Sequence, residues 1–573
     1  MVAKPSPSAD NEQGPRPGWG LLVVGGVLIA GFVLHCLAVN YVSDDGFIAF
    51  QYVRNWVDGH GPVYNPGERV EGYNNFLWIV LLAGFQWALP AVKILTIAQV
   101  LGILFGALTI LLALWFSRKA SRGFWPFGVV GAAFLAAHPG LSAWATAGLE
   151  TTLIAFLILL AAVLYVRALE TQRNFSWVAV VLALAAMTRP DGAVIFAVIS
   201  SHFFVVEWRR TGKPFSKRIW QWVLAFAVVY GSYFLWRYTY YGYLLPNTAY
   251  AKVGSGLEQY LRGWNYLWRY LQETGGSILL LPVCLLLFHR KRKLWQDCFA
   301  LLLGVHWLFI IYVGGDGLAF FRFPSYSAPL FYLLAQEGLA QLYHRIRNAL
   351  PAPAARWIAI PSGALVVLML AWTARYTIRP LVLPERSRWY EPQSELRFPG
   401  LGSDHAYRWF DNYFVDRLAT AARWLENNSP PGAVIASTPA GSIAYHMNRK
   451  VIDMLGLTDI HIAHAPGTFR GRAGLGRAGH EKGDGKYVLS REPDYILMGN
   501  VAVLPFPLDE RRMEEKLVLK SEHELWALPE FHQRYELVCV RLANSGLFQY
   551  FTFYRKKTVA VSGGKTEARG GER

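Results

Sequence analysis

Long apolar runs, broken by short polar interruptions, dominate the first two thirds of this chain. The runs begin with Gly20 to Val42 and recur as far as Tyr376, each of bilayer-crossing length, and predict roughly eleven membrane-spanning helices. Pro90 splits the stretch from Phe76 to Phe116 into two apparent passes where the topology needs an odd number, so a broken or re-entrant helix is expected there. After Tyr376 the text turns polar. Pro380, Pro384, Pro392 and Pro399 mark an extended linker. Phe414, Leu418, Ala421, Ala422 and Leu425 then recur at helical spacing, and Ala433 to Ala436, Val451 to Met454 and Tyr495 to Leu497 read as short strands. The expected fold is an α-helical polytopic membrane protein, with a transmembrane module over residues 19–376 and a C-terminal α/β extracytoplasmic soluble domain over 377–557. Residues 1–18 read as a disordered cytoplasmic tail before an uncleaved first helix, and 558–573 as a disordered low-complexity tail.

Composition agrees with the pattern. Of 573 residues, 53% are hydrophobic and the mean hydropathy is +0.24, too apolar for a soluble enzyme. The net charge of +17 does not point to nucleic acid, because the Lys and Arg lie in short clusters between apolar runs: Arg118-Lys119, Arg209-Arg210, Arg290 to Lys293, Arg345 with Arg347. Such clusters orient helices by the positive-inside rule and fit a bacterial inner membrane. Trp19, Trp78, Trp125, Trp177, Trp220 and Trp295 stand near segment ends, where an interfacial belt is expected. Cys36, Cys284 and Cys298 lie in or beside apolar segments and Cys539 stands alone, so no outer disulfide framework is implied. No zinc-type Cys or His spacing occurs.

The candidate chemistry sits in the stretches placed on the outer face. Asp44 and Asp45 follow the first apolar run directly. Carboxylates so close to hydrocarbon are costly unless they serve a cation, a metal or a proton transfer; the plainer alternative is a helix cap formed with Ser43. Further along come Arg54-Asn55, Glu68-Arg69 with Glu71, Glu150, Arg189-Pro190-Asp191, Pro246-Asn247 with Lys252, and Gly314-Gly315-Asp316 with Arg322. Fixed cations beside carboxylates suit the transfer of a group from a lipid phosphate to a hydroxyl: Arg and Lys hold the departing phosphate, and an Asp orients or deprotonates the acceptor. Taken singly, Arg189 also reads as an interfacial anchor and Glu150 as a helix cap. The Gly-rich basic stretch Arg470 to Lys486 reads equally as a contact for lipid headgroups or for an anionic ligand.

The run Asp44-Asp45-Gly46-Phe47-Ile48 through Arg54-Asn55, Gly59-His60-Gly61, Asn65-Pro66-Gly67-Glu68-Arg69-Val70-Glu71-Gly72-Tyr73 and Leu77-Trp78 resembles the first outer loop of terminal arabinofuranosyltransferases, membrane glycosyltransferases of the GT-C class. Gly148-Leu149-Glu150, Arg189-Pro190-Asp191-Gly192, Leu245-Pro246-Asn247-Thr248, Gly314-Gly315-Asp316-Gly317 with Arg322-Phe323, Gly456-Leu457-Thr458-Asp459 and Gly479-His480-Glu481-Lys482 extend the resemblance to about Asp494. Position 46 is Gly where the family has Ala, and 74 is Asn where it has Thr. The resemblance implies a GT-C glycosyltransferase fold and a polyprenyl-phosphate donor, most simply of D-arabinofuranose, with a glycan or pilin-like protein as acceptor on the outer face. It implies Asp44 and Asp45 as catalytic, Lys252, Arg322 and Arg189 at the donor phosphate, and Glu150, Asp191, Asn247, Asp316, Arg54, His480 and Lys482 around the sugar or acceptor. No cofactor is firmly implied; a divalent cation held by Asp44, Asp45 and Asp316 is an open alternative. So is the same chemistry with mannose, or with aminoarabinose on lipid A. A transporter or flippase would also carry intramembrane charges, but no internal repeat relates two halves of the chain. A receptor or scaffold would leave Asp44 a mere cap.

Overall fold

The computed structural model describes residues 19–120, 127–251, 257–290, 292–382, 404–465, 482–499, 501–542 and 549–557. In chain order the helices are α1 (Trp19–Val39), α2 (Asp44–Val57), α3 (Phe76–Ala88), α4 (Ile94–Ala120), α5 (Val130–Ala137), α6 (Pro139–Thr146), α7 (Thr151–Thr171), α8 (Phe175–Thr188) and α9 (Pro190–Thr211). After them come α10 (Lys217–Phe226), α11 (Ser232–Tyr241), α12 (Asn247–Ala251), α13 (Leu257–Glu273), α14 (Gly276–Leu287), α15 (Leu294–Val313), α16 (Arg322–Ala349), α17 (Ala352–Trp357), α18 (Ala359–Val382) and α19 (Asp404–Asn428). The strands β1 (Val434–Ser437), β2 (Lys450–Asp453), β3 (Tyr495–Leu497), β4 (Ala502–Leu504), β5 (Tyr535–Arg541) and β6 (Tyr550–Lys556) are interleaved with α20 (Ser442–Tyr445), α21 (Ile460–His464), α22 (Gly485–Ser490), α23 (Glu510–Glu514), α24 (Lys520–Trp526) and α25 (Pro529–Arg534). The chain divides into two units: Met1–Val42, Asn75–Leu235 and Leu257–Phe410 form the first, and Ser43–Asn74, Trp236–Gly256 and Asp411–Arg573 the second.

Unit 1 is helical. Seven helices among the described residues are long and apolar enough to cross a membrane, or eight if α13 and α14, bent by 97° at their junction, make one broken span. That is fewer than the roughly eleven expected: α3 and α8 are apolar but shorter, and polar positions dilute the hydropathy of the 28-residue α16. As the sequence suggests, the chain breaks at Pro90, between α3 and α4; α3, with 13 residues, is about 20 Å long, short of a full hydrocarbon core. The helices cross closely where side chains are absent. A Cβ on Gly102 of α4 would sit 2.1 Å from the Ala145 carbonyl oxygen, and one on Gly338 of α16 would sit 2.2 Å from that of Pro282 in α14, the small-residue contact that lets apolar helices associate without a hydrophobic driving force. Two tryptophans depart from the expected belt. Trp177 and Trp220 are exposed, but Trp78 and Trp295 are buried, because the Trp78 indole N–H donates to the Gly148 carbonyl at 3.0 Å and Trp295 packs edge-on against Phe116 and Phe299.

Unit 2 is built on a mixed sheet in the order β2-β1-β3-β6-β4, with β5 also paired to β6. β1 runs parallel to β2 and β3, and β6 runs antiparallel to β3, β4 and β5. The three strands expected from sequence fall where the β-rich runs lie. Leu418, Ala421, Ala422 and Leu425 of α19 are fully buried, as their helical spacing requires. The segment after α2 joins this unit through its own polar groups. The Asn65 side chain accepts from the Val451 N–H at 3.1 Å and donates to the Val451 carbonyl at 2.9 Å, pairing the edge of β2 as a neighbouring backbone would. The buried Tyr64 hydroxyl donates to the Ala440 carbonyl at 2.6 Å.

Candidate active site

In unit 2 the acidic pair opens α2, with Ser43 as its N-cap residue but without a side-chain capping hydrogen bond. Asp44 instead reaches the C-terminal part of the unit: its Oδ1 accepts the Ser442 N–H at 2.6 Å and its Oδ2 the Gly441 N–H at 3.2 Å. Charge-assisted bonds of this kind anchor a loop firmly. Gly441 is required at that point, since a Cβ there would lie 2.0 Å from the Asp44 carbonyl oxygen. Asp44 and Asp45 are both half-buried. Nearly three helical turns on, Arg54 donates to the Tyr445 carbonyl at 2.7 Å and lies over the Tyr445 ring; burial lowers its pKa from the ordinary guanidinium value.

The same unit holds a buried ion pair that the sequence reading named only by half. The Nε of Arg237 donates to both carboxylate oxygens of Glu71, at 3.1 and 3.0 Å, and its Nη1 donates to the Leu244 carbonyl at 2.7 Å. Asn247 lines no opening: its amide donates to the carbonyls of Gly456, Leu457 and Asp459 at 2.9, 3.0 and 3.2 Å, tying α12 to the turn before α21. In that turn Asp453 accepts from the N–H groups of Leu455 and Thr458, and burial pushes its carboxyl up to about 6. Lys482 donates to the Ala465 carbonyl at 2.7 Å. Lys252 and His480 lie outside the described residues.

In unit 1 the stretches expected on the outer face come together. Arg189, the residue between α8 and α9, donates from Nη1 to Glu150 Oε1 and from Nε to Asp191 Oδ2, both at 2.7 Å. The other Glu150 oxygen accepts from Asn75 at 2.7 Å. Glu150 is the N-cap residue of α7 by position, yet its side chain makes no capping bond. Arg189 is buried, so it is no interfacial anchor, and two of its three nitrogens already face carboxylates. His306 of α15 continues the chain of groups. Its Nδ1 meets Ser327 Oγ at 2.9 Å, and its Nε2 stands 3.8 Å from Asp191 Oδ1. A lone His inside the apolar run of α15 was the available signal for this residue.

The second cation of unit 1, Arg322, is placed by an unusual backbone. Phe320 and Phe321 hold φ values of 57° and 49°, a left-handed pair that bulky residues adopt at a cost of order 1–3 kcal/mol each and keep where surroundings over-determine them. Just before, Gly314 and Gly315 have φ of 83° and 76°, ending α15 as the sequence suggests. Arg322 lies 2.7 Å from Asp316 Oδ2 and over the rings of Trp144 and Phe323, at 5.4 Å from each. Trp144 is fixed in turn by Tyr41 and by the Phe320 carbonyl. The buried Tyr326, which sequence reading also missed, presents its ring to Arg189 at 5.0 Å. Among the described residues no three His, Cys, Asp or Glu side chains are grouped so as to hold a metal ion.

Comparison with known proteins adds a name to this chemistry. Residues 405–561 match a family described as Domain of unknown function (DUF8728). The chain is 27% identical over 444 residues to the terminal beta-(1->2)-arabinofuranosyltransferase of Mycobacterium tuberculosis (strain ATCC 25618 / H37Rv), an alignment covering 70% of this chain and 69% of that enzyme. It is 28% identical over 356 residues to the protein of the same name in Corynebacterium glutamicum, covering 52% of this chain and 47% of that one, about half its length. Among solved structures, ArnT from Cupriavidus metallidurans bound to undecaprenyl phosphate aligns with 94% of this chain and 98% of its own at 12% identity and a TM-score of 0.48; its apo form aligns with 76% and 85% at 15% and 0.45. By sequence, this multi-pass helical chain is a relative of the terminal beta-(1->2)-arabinofuranosyltransferases.

Proposed function

We propose that the protein is a membrane glycosyltransferase of GT-C type that moves D-arabinofuranose from a polyprenyl-phosphate donor to a hydroxyl of a glycan or protein outside a bacterial inner membrane. The observation that carries this reading is the similarity to arabinofuranosyltransferases over 70% of the chain, joined to an acidic pair that opens the first helix after the first membrane span. In the reaction the bond from sugar C1 to the phosphate oxygen breaks, polyprenyl phosphate leaves with the electron pair, a bond forms from C1 to the acceptor oxygen, and a carboxylate takes the hydroxyl proton. If configuration is retained, the same balance is reached in two displacements, with a carboxylate bonded to C1 in between.

In unit 2 the proposal divides the acidic pair. Asp44, whose two oxygens accept backbone N–H groups, is taken as the positioning residue, and Asp45 as the carboxylate that acts on the reacting atoms. The proposal keeps Arg322 of unit 1, and Lys252, in the role of donor-phosphate ligands. It moves Arg189 from phosphate ligand to scaffold, because Glu150 and Asp191 already neutralise it. The test is single-turnover consumption of synthetic polyprenyl-phospho-arabinofuranose by purified protein, wild type against Asp45→Asn. Sugar transfer by wild type and none by the variant is expected. Equal turnover by both would remove Asp45 from the chemistry, and consumption of a mannose- or aminoarabinose-linked donor in place of arabinose would replace the sugar while keeping the reaction class.

A further inference from the structure

Away from the acidic pair, unit 2 carries five aromatic side chains in two stacks across α21. His464 lies against Tyr250, with centroids 4.3 Å apart and rings tilted by 32°, and is 5.5 Å from Tyr243. His461 stacks on Tyr487 at 3.9 Å, the rings only 12° from parallel. His461 and His464 are three residues apart and so leave the same face of the helical turn, which makes the two stacks neighbours in one strip. His461, His464 and Tyr243 are exposed, and Tyr250 and Tyr487 are half-buried.

The strip is braced. Asp459 caps α21 by accepting the Ile462 N–H at 3.0 Å with one oxygen, and accepts the Tyr487 hydroxyl at 3.0 Å with the other. Asp484 caps α22 through the Tyr487 N–H at 2.9 Å, and its second oxygen meets His461 Nε2 at 2.9 Å. Each cap thus holds the ring that belongs to the other helix, and Arg491 covers Tyr487 at 5.5 Å. Fixing exposed rings costs rotamer entropy that burial does not offset here, and the return on such pre-organisation comes when a partner stacks on them. A purely structural junction would not need the Tyr243, Tyr250 and His464 group, since Asn247 already ties α12 to α21 with three hydrogen bonds.

We propose that this strip is a glycan-binding surface: sugar rings lay their C–H faces on the outward faces of His461, His464 and Tyr243, which Tyr487 and Tyr250 back from behind, so that positive edges meet the negative face of the ring, while Asp459 and Asp484 accept hydrogen bonds from sugar hydroxyls. Two carboxylates within the strip disfavour anionic lipid headgroups, the other partners that collect Tyr at a membrane. Naming the glycan as the acceptor rests on the transferase reading above; the surface itself does not.

The full chain in detergent is titrated with a short synthetic arabinofuranoside by ligand-observed NMR, and donor hydrolysis without acceptor is followed in parallel. Tyr250→Leu and Tyr487→Leu are each expected to weaken binding about five- to tenfold and to raise the acceptor KM at unchanged kcat, with donor hydrolysis unaltered. Tyr487→Phe, which keeps the ring, is expected to stay within about twofold of wild type, and it remains informative if a Leu variant fails to fold. The surface is overturned by an absence of sugar binding in wild type, by Leu variants that bind as wild type does, by a Tyr487→Phe variant as weak as Tyr487→Leu, or by binding of anionic-lipid vesicles in place of sugar. Sugar binding that the variants weaken, in a protein that consumes no donor, would fell the transferase reading and leave the surface standing.

Discussion

Asp44 and Asp45 are adjacent in sequence, and the proposed function gives them separate roles. A carboxylate with both oxygens on backbone N–H groups is held in one rotamer; replacing it with Asn turns one acceptor into a donor aimed at an N–H. Asp44→Asn is therefore expected to lower the melting temperature and the turnover together. Asp45→Asn should lower single-turnover transfer by about 10²- to 10⁴-fold, the range for losing an acid–base group, and by more than any loss of melting temperature explains. Comparing thermal unfolding with transfer in the two variants checks the division. Glu71 and Arg237, both almost fully buried, make a second residue-level case. Arg237→Leu leaves an unpaired buried carboxylate and is expected to destabilise unit 2 by about 3–5 kcal/mol, while Glu71→Gln combined with Arg237→Leu recovers most of that loss. Denaturation of the single and double variants in detergent measures the coupling.

At the scale of elements, glycine determines how near two segments come. Gly338 lets α16 lie against the Pro282 carbonyl of α14, and Gly338→Ala should force the helices apart at a cost of about 1–3 kcal/mol, read as a lowered unfolding midpoint. The Gly441 contact with Asp44 is as close, so Gly441→Ala is expected to copy the Asp44→Asn phenotype without touching a carboxylate. A Gly441→Ala protein with wild-type turnover and stability would show that the Asp44 anchor is dispensable. Helix existence and the breaks at Pro90, Pro190 and Gly314-Gly315 were legible because apolar periodicity and restricted backbone are properties of the chain itself. The left-handed Phe320-Phe321 pair was not, since no local preference of Phe favours it and only the surrounding packing imposes it.

For the whole molecule, the partition of the chain carries a pH consequence. Asp453, buried in unit 2, has its carboxyl pushed up to about 6 from 3.8, so between those values the folded state binds the proton that the unfolded chain releases. Its contribution to stability is greatest below about pH 4 and is lost as pH rises through about 6, by about 3 kcal/mol at most. Unfolding followed from pH 4 to 7 should show that fall, and Asp453→Asn should flatten it. Sequence alone established the membrane-helix character of the first two thirds and the strand runs of the soluble part, because hydropathy and periodicity need no partner. It also drew a single boundary near Tyr376. Only the tertiary structure decided that 43–74 and 236–256 cluster with 411–573, that Arg189 is paired with two carboxylates, and that Asp44 accepts the Gly441 and Ser442 N–H groups. Those outcomes depend on hydrogen bonds and ion pairs between residues tens to hundreds of positions apart, which no local pattern records.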